Sequence, residues 1–214
     1  RLEHALVYDS ARGRTVLFGG YAEGDDEEAV WEWDGAQWHG PFAPEHRPIA
    51  RRLHAMAYDH ERGRVVLFGG MDEAAVHQDD VWEWDGSAWS EGLASGSGPS
   101  ARSGHSVVYD DARERLVLFG GHGVDGIAAG NEVWEWDGST WSGPLLPVAR
   151  PSWRNHVGMA YDSARGRVVL FGGNVFEGVG EVDDLWEWDG VQWRGPVLPA
   201  AHLESRSGHA VAYD

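Results

Sequence analysis

The chain contains no cysteine and no lysine. Without Cys there are no disulfides, no thiolate catalysis and no zinc–thiolate sites. All 17 basic residues are Arg and stand against 35 acidic ones, a formal charge of −18. Such a chain repels phosphate on average, which argues against nucleic acid and anionic membranes as partners and favours cations and basic surfaces. No run of 18 or more apolar residues occurs, which excludes a membrane-spanning helix. The 30 glycines follow no three-residue period, so a collagen-like chain is excluded too. What is abundant is aromatic: 13 Trp in 214 residues, the composition of a folded domain rather than a disordered one. The first residue is Arg1 and no signal peptide is visible, so the expectation is a mature, trimmed or excised segment, with localisation left open and secretion or a cell-surface position as one option.

Internal repetition organises the rest. "LFGG" occurs four times, ending in Gly19-Gly20, Gly69-Gly70, Gly120-Gly121 and Gly172-Gly173. "WEWDG" follows each, supplying the pairs Trp31 and Trp33, Trp82 and Trp84, Trp134 and Trp136, and Trp186 and Trp188. A third Trp lies three residues beyond each Gly of that motif: Trp38, Trp89, Trp141 and Trp193. A His-led phrase ending in Tyr-Asp opens each unit at His4, His54, His105 and, one residue stretched, His156; a fifth opens at His209. The units are about 1–50, 51–100, 101–151 and 152–204, with an extra first strand at 205–214. They form one domain, complete or partial.

Each unit reads as four short strands. Strand a covers His4–Tyr8, strand b Thr15–Phe18, strand c Val30–Trp33, and strand d centres on Trp38. An Asp-x-x-Arg-x-Arg turn joins a to b, and Asp34-Gly35 begins the turn from c to d. No helical period survives. Four-stranded antiparallel sheets repeated at about 50 residues and packed face to face make an all-β propeller.

The double glycine after strand b, the aromatic-acidic strand c and the Trp of strand d resemble the kelch family of β-propellers, the fold of the galactose oxidase central domain, and look similar to bacterial kelch-like repeat proteins. The resemblance implies a propeller of four-stranded blades and a binding or interaction role. Copper oxidase chemistry does not carry over, because that chemistry involves a Cys. Kelch propellers usually close with six or seven blades. Four units and a spare strand therefore suggest a fragment, a self-associating form such as a homodimer, association with further blades, or a compact ring.

The twelve repeated Trp residues are expected to fill the seams between blades, and the four Gly-Gly pairs to permit close backbone approach or positive φ. The Asp-x-x-Arg turns are expected to hold local ion pairs. Antiparallel order places the b–c and d–a loops on one face, and these vary between units while the turns do not. That contrast makes the loop face the expected binding surface. Candidate ligand-binding residues there are Arg52, Arg102, Arg150, Trp153, Arg154 and Arg206 on d–a loops, and His77, Asp79, His122 and Asp125 on b–c loops. A protein or small polar ligand is the expected partner. The alternatives are a metal-dependent enzyme with His and carboxylate ligands from the b–c loops, a divalent cation being its cofactor, or a purely structural part of a larger or oligomeric propeller. No catalytic residue is assigned and no cofactor is expected in the leading reading.

Overall fold

The computed structural model describes residues 1–22, 25–93, 96, 98–123, 130–176, 180–197 and 203–213, with the side chains of 25, 26 and 93 left aside. Every described regular element is a strand. Four antiparallel sheets of four strands follow the four repeats in meander order. In blade 1 strand a is Ala5–Asp9, b is Arg14–Phe18, c is Val30–Trp33 and d is Trp38–Phe42. The corresponding first strands of blades 2, 3 and 4 are Ala55–Asp59, Ser106–Asp110 and Gly158–Asp162. Strands a of successive blades lie side by side, 1 beside 2, 2 beside 3 and 3 beside 4. Strand a is therefore innermost, as four kelch-type propeller blades require.

The core lies between blades. Strand b is an uninterrupted apolar run in blades 2 to 4, such as Val65-Val66-Leu67-Phe68; in blades 2 and 3 both sheet faces are covered. The Phe ending strand b meets the strand-d Trp of the next blade edge to face. Phe18 with Trp89, Phe68 with Trp141 and Phe119 with Trp193 have ring centroids 5.2, 5.2 and 5.4 Å apart. Such contacts add about 1 kcal/mol beyond the area they bury. The second Trp of WEWDG crosses the same seam. Trp84 Nε1 donates to Glu32 at 3.0 Å, and Trp188 Nε1 donates to Glu135 at 3.1 Å. In these two seams the acidic residue between the two tryptophans is thus a buried acceptor for the neighbouring blade's indole.

The a–b turn closes on itself. Asp9 accepts from the Arg12 backbone amide at 3.0 Å and from its Nε at 2.6 Å, and all four blades repeat the pair. Arg12 then reaches Glu32 at 2.7 Å and packs against Gly86 of blade 2, where a Cβ would stand 2.6 Å from the guanidinium carbon. The c–d turn differs from a two-residue hairpin. Trp33 pairs with Trp38, leaving four residues in the loop, and the Asp34 carboxylate accepts the amides of Ala36 and Gln37, each at 2.8 Å.

The Gly-Gly pairs serve both expected purposes. Gly19 and Gly20 have φ of 64° and 90°, and a Cβ on Gly19 would lie 2.4 Å from the Arg51 carbonyl oxygen of the next blade. The Gly20 amide donates to that same oxygen at 2.8 Å, a link repeated at Gly70, Gly121 and Gly173.

The fourth unit corrects the expected register. Gly158 pairs with Phe171, so Val157, not His156, stands where His54 and His105 stand. A Cβ on Gly173 would meet Val157, as one on Gly70 would meet His54 and one on Gly121 would meet His105. The extra residue moves His156 to the position of Glu3, Leu53, Gly104 and Gly208, all with φ between 51° and 65°. Amides at these positions link blade to blade: Leu53 to the Glu3 carbonyl, Gly104 to Leu53, His156 to Gly104 and Gly208 to His156, at 2.8 to 3.0 Å.

Residues 205–213 lie where a fifth first strand would. His209 packs on Phe171 with centroids 5.4 Å apart, and the Arg206 carbonyl accepts from Gly173. Among the described residues this segment has no strand partner, because no strand b stands beside it.

Candidate functional site

In blades 2, 3 and 4 the loop face is built on one buried arginine each. Arg51, Arg102 and Arg154 are each 1% exposed and stand three residues before strand a's leading position. Arg51 forks onto Asp80, with Nη1 and Nη2 at 2.6 and 2.9 Å, and also donates to the carbonyls of Gly69 and Ile49. Arg154 treats Asp184, Gly172 and Ser152 in the same way. Arg102 reaches Glu132 at 3.0 Å and the carbonyls of Gly120 and Ser100. The same carboxylates accept the first WEWDG indole: Trp82 on Asp80, Trp134 on Glu132 and Trp186 on Asp184. Burial works to raise the carboxyls of Asp80 and Asp184, but their Arg and Trp donors outweigh it and hold both below the ordinary range.

These clasps change the standing of two candidate binding residues. Arg102 and Arg154 are enclosed, and their guanidinium groups are engaged by their own blades, so they brace the b–c and d–a loops instead of facing a ligand. Arg51, outside the candidate set, is their counterpart in blade 2. The signal was present in sequence: an Arg at a fixed offset before each strand a belongs to the repeated scaffold. Arg206 has the same offset in the fifth opening; its Nε donates to the Glu204 carbonyl at 3.0 Å.

The remaining candidates spread around the loop face. His77 and His122, from the b–c loops of blades 2 and 3, meet edge to face with centroids 5.1 Å apart. His122 also bonds Ser103 at 3.2 Å and Asn155 at 3.5 Å. Burial lowers the pKa of both imidazoles, and His77 adds to the effect at His122. Arg52 lies 5.8 Å from the Tyr21 ring centroid and 3.5 Å from Glu3. Asp79 accepts the Gly96 amide at 3.0 Å. Arg150 donates to the Pro147 carbonyl at 2.8 Å. Asp125 lies outside the described residues. Trp153 is 40% exposed and borders a pocket of about 250 Å³ with Phe176, Val175, Ser152 and Asn131. Among the described residues no group of three or more His, Asp or Glu is placed to hold a metal ion.

The histidines opening strand a have packing work. His105 Nε2 bonds the Phe68 carbonyl at 3.1 Å, and His54 and His105 are both nearly enclosed. Burial, reinforced by Arg51 and Arg102 respectively, pushes each down to about 3, so both are neutral at physiological pH. With His4, His156 and His209 they line an axial cavity of about 230 Å³.

Sequence reasoning passed over a second axial feature at the turn end. The Tyr-Asp tyrosines of all five openings, Tyr8, Tyr58, Tyr109, Tyr161 and Tyr213, line a cavity of about 350 Å³. Burial raises the phenols of Tyr58, Tyr109 and Tyr161, and hydrogen bonds to Asp9, Asp59 and Asp110 of the preceding blade add to the shift. Their hydroxyls are seam contacts, and their repetition is the signal that could have placed them together.

Two overlapping matches to the KLHDC2/KLHL20/DRC7 Kelch-repeats domain cover residues 3–142 and 84–214. No curated protein matches the chain. Kelch repeats generally mediate protein–protein interaction. Four double-glycine, WEWDG blades joined by reciprocal indole, carboxylate and guanidinium contacts are the structural counterpart of that match: the chain belongs to the Kelch-repeat family.

Proposed function

We propose that the chain is a protein-interaction module that receives its partner on the b–c and d–a loop face, anchored at Trp153 and its pocket. One observation carries this reading. Exposed apolar side chains stand on those loops, among them Ile49, Val76, Leu146, Val148 and Trp153. At the opposite end the repeated turns use their Asp and Arg groups on one another. Exposed apolar groups rimmed by polar ones are a docking feature, and Trp is a preferred anchor. Asp72 and Glu73 border Ile49 in a recess of about 470 Å³. The favoured partner is therefore a segment with apolar side chains flanked by Arg or Lys, drawn in by the net negative charge.

Random-peptide display on the purified protein tests this. The selected peptides should be basic and apolar, and Trp153→Ala should weaken them about tenfold or more while leaving the fold intact. Peptides that ignore Trp153→Ala but are lost on Val191→Ser, an exposed site on the blade 4 c–d turn, would refute the choice of face.

A further inference from the structure

The residue that follows Tyr-Asp in each a–b turn breaks the repetition of that turn. It is Ser10 in blade 1, His60 in blade 2, Asp111 in blade 3 and Ser163 in blade 4. The Asp–Arg contact and the strand register are the same in all four blades, so Ser satisfies the scaffold there. His and Asp take the place only in two adjoining blades, and there they meet. His60 Nδ1 lies 2.5 Å from Asp111 Oδ1. Their side chains are 46% and 44% exposed, so the contact adds little stability.

The pair borders the tyrosine-lined axial cavity of about 350 Å³ at the turn end. The His60 ring meets Tyr58 and Tyr109 edge to face, with centroids 5.0 and 5.7 Å away. Tyr161, Ser163 and Met56 border the same space. These residues belong to blades 2 to 4. Blades 2 and 3, which supply the pair, each pack against a blade on both sides. The charged groups left facing the cavity favour a donor. With the imidazole neutral, Nδ1–H donates to Asp111, leaving His60 Nε2 and Asp111 Oδ2 as acceptors. Neither atom has another hydrogen bond among the described residues. The tyrosine hydroxyls are held at the seams, as where Tyr161 accepts the Ala112 amide at 3.2 Å. No Arg is among the described residues that line the cavity. Arg62 and Arg113, from the same turns, are each held between two carboxylates.

We propose that this cavity binds a small organic cation, a protonated primary amine on an aromatic or other apolar body. The ammonium group donates to Asp111 Oδ2 and His60 Nε2. The body lies among the tyrosines and Met56, where aromatic walls favour a cation. A few polar groups at an otherwise apolar cavity of this size are what a small ligand requires. The net charge of −18 draws cations in. The site lies at the end of the blades opposite the loop face, so it stands or falls apart from the proposed partner surface.

Titration of the 214-residue chain with 2-phenylethylammonium, followed through amide shifts in proton–nitrogen correlation spectra, tests the proposal. The expected result is saturable shifts at Tyr58, His60, Tyr109 and Asp111. Asp111→Asn should weaken binding about tenfold or more, because the ammonium loses its charged acceptor. Asp111→Ser, which installs the residue of blades 1 and 4, should do the same, and the exposed pair can be lost without unfolding the chain. 2-Phenylethanol, the same body without charge, should bind about tenfold more weakly, and 3-phenylpropanoate should not bind. Trp153→Ala should leave the titration unchanged. Absence of saturable shifts at these amides up to about 10 mM amine would overturn the proposal. So would an affinity that both Asp111 variants leave unchanged, a carboxylate that binds as tightly as the amine, or loss of binding in Trp153→Ala.

Discussion

The two ends of each blade anchor their loops in different ways. At the turn end, Asp and Arg pair three residues apart, and a second Arg reaches the c–d Asp, as Arg64 reaches Asp85 at 3.1 Å with both side chains 37% exposed. At the loop end a single enclosed Arg ties strand a, the Gly-Gly corner and the carboxylate before strand c, as Arg51 does with Asp80. The aspartates of the Asp-x-x-Arg pairs are buried, but the Arg64–Asp85 pair faces solvent, so it contributes little. In each loop-end clasp the arginine is enclosed, and removing its carboxylate partner strands a buried charge. Because the loop end is braced from beneath, its b–c and d–a segments are free to vary in length and chemistry above the brace.

The largest expected effect separates the two ends directly. Arg51→Ala should destabilise the protein by about 3–5 kcal/mol, because Asp80 and the Gly69 carbonyl lose their donor in the interior. Arg64→Ala, in the same blade but in an exposed pair, should change stability by no more than about 1 kcal/mol. Urea unfolding of the two variants side by side reads the difference, and equal losses would erase the distinction.

Next in size is a contrast between equivalent tryptophans. Trp89→Ala opens a cavity in a closed seam and should cost about 3–5 kcal/mol. Trp38→Ala, at the same repeat position in blade 1 but 47% exposed, should cost about 1 kcal/mol or less. The same chemical denaturation checks both.

A smaller effect sharpens the comparison through pH. At the loop end His54 and His105 have folded pKa values pushed down to about 3, below an unfolded value of about 6.5. Between those values the unfolded chain binds more protons, so stability should fall as the pH drops from about 6.5 toward 4. At the turn end Asp85 is held at about 2; burial works to raise it, but the amides of Ala88 and Ser87, the Ser87 hydroxyl and Arg64 outweigh that. Its contribution is present above an unfolded value of about 3.9 and is lost only below it. Urea midpoints at pH 7, 5 and 3 resolve the two windows. His54→Gln should make the upper one shallower, His105 supplying the remainder, and leave the lower one in place.

Blades, strand c and the seam role of tryptophan were legible because they repeat with a fixed period, and a period reports the scaffold. Arg102 and Arg154 fall within the variable d–a loops, yet they stand at a constant offset from strand a, as Arg51 does, and that constancy marks them as buried braces. The single-residue shift at His156 was hidden because alignment by the imidazole gives a plausible opening phrase; only the pairing of Gly158 with Phe171 shows that Val157 fills the buried place. The meeting of His77 and His122 could not be read at all, since b–c loops of different length decide which tips converge.

The seam itself admits one direct test. Glu32 and Trp84 are 52 residues apart and meet only if blades 1 and 2 pack face to face. A double-mutant cycle with Glu32→Gln and Trp84→Phe should return a coupling of about 1 kcal/mol or more. Strict additivity of the two substitutions would mean that the indole and the carboxylate do not join neighbouring blades.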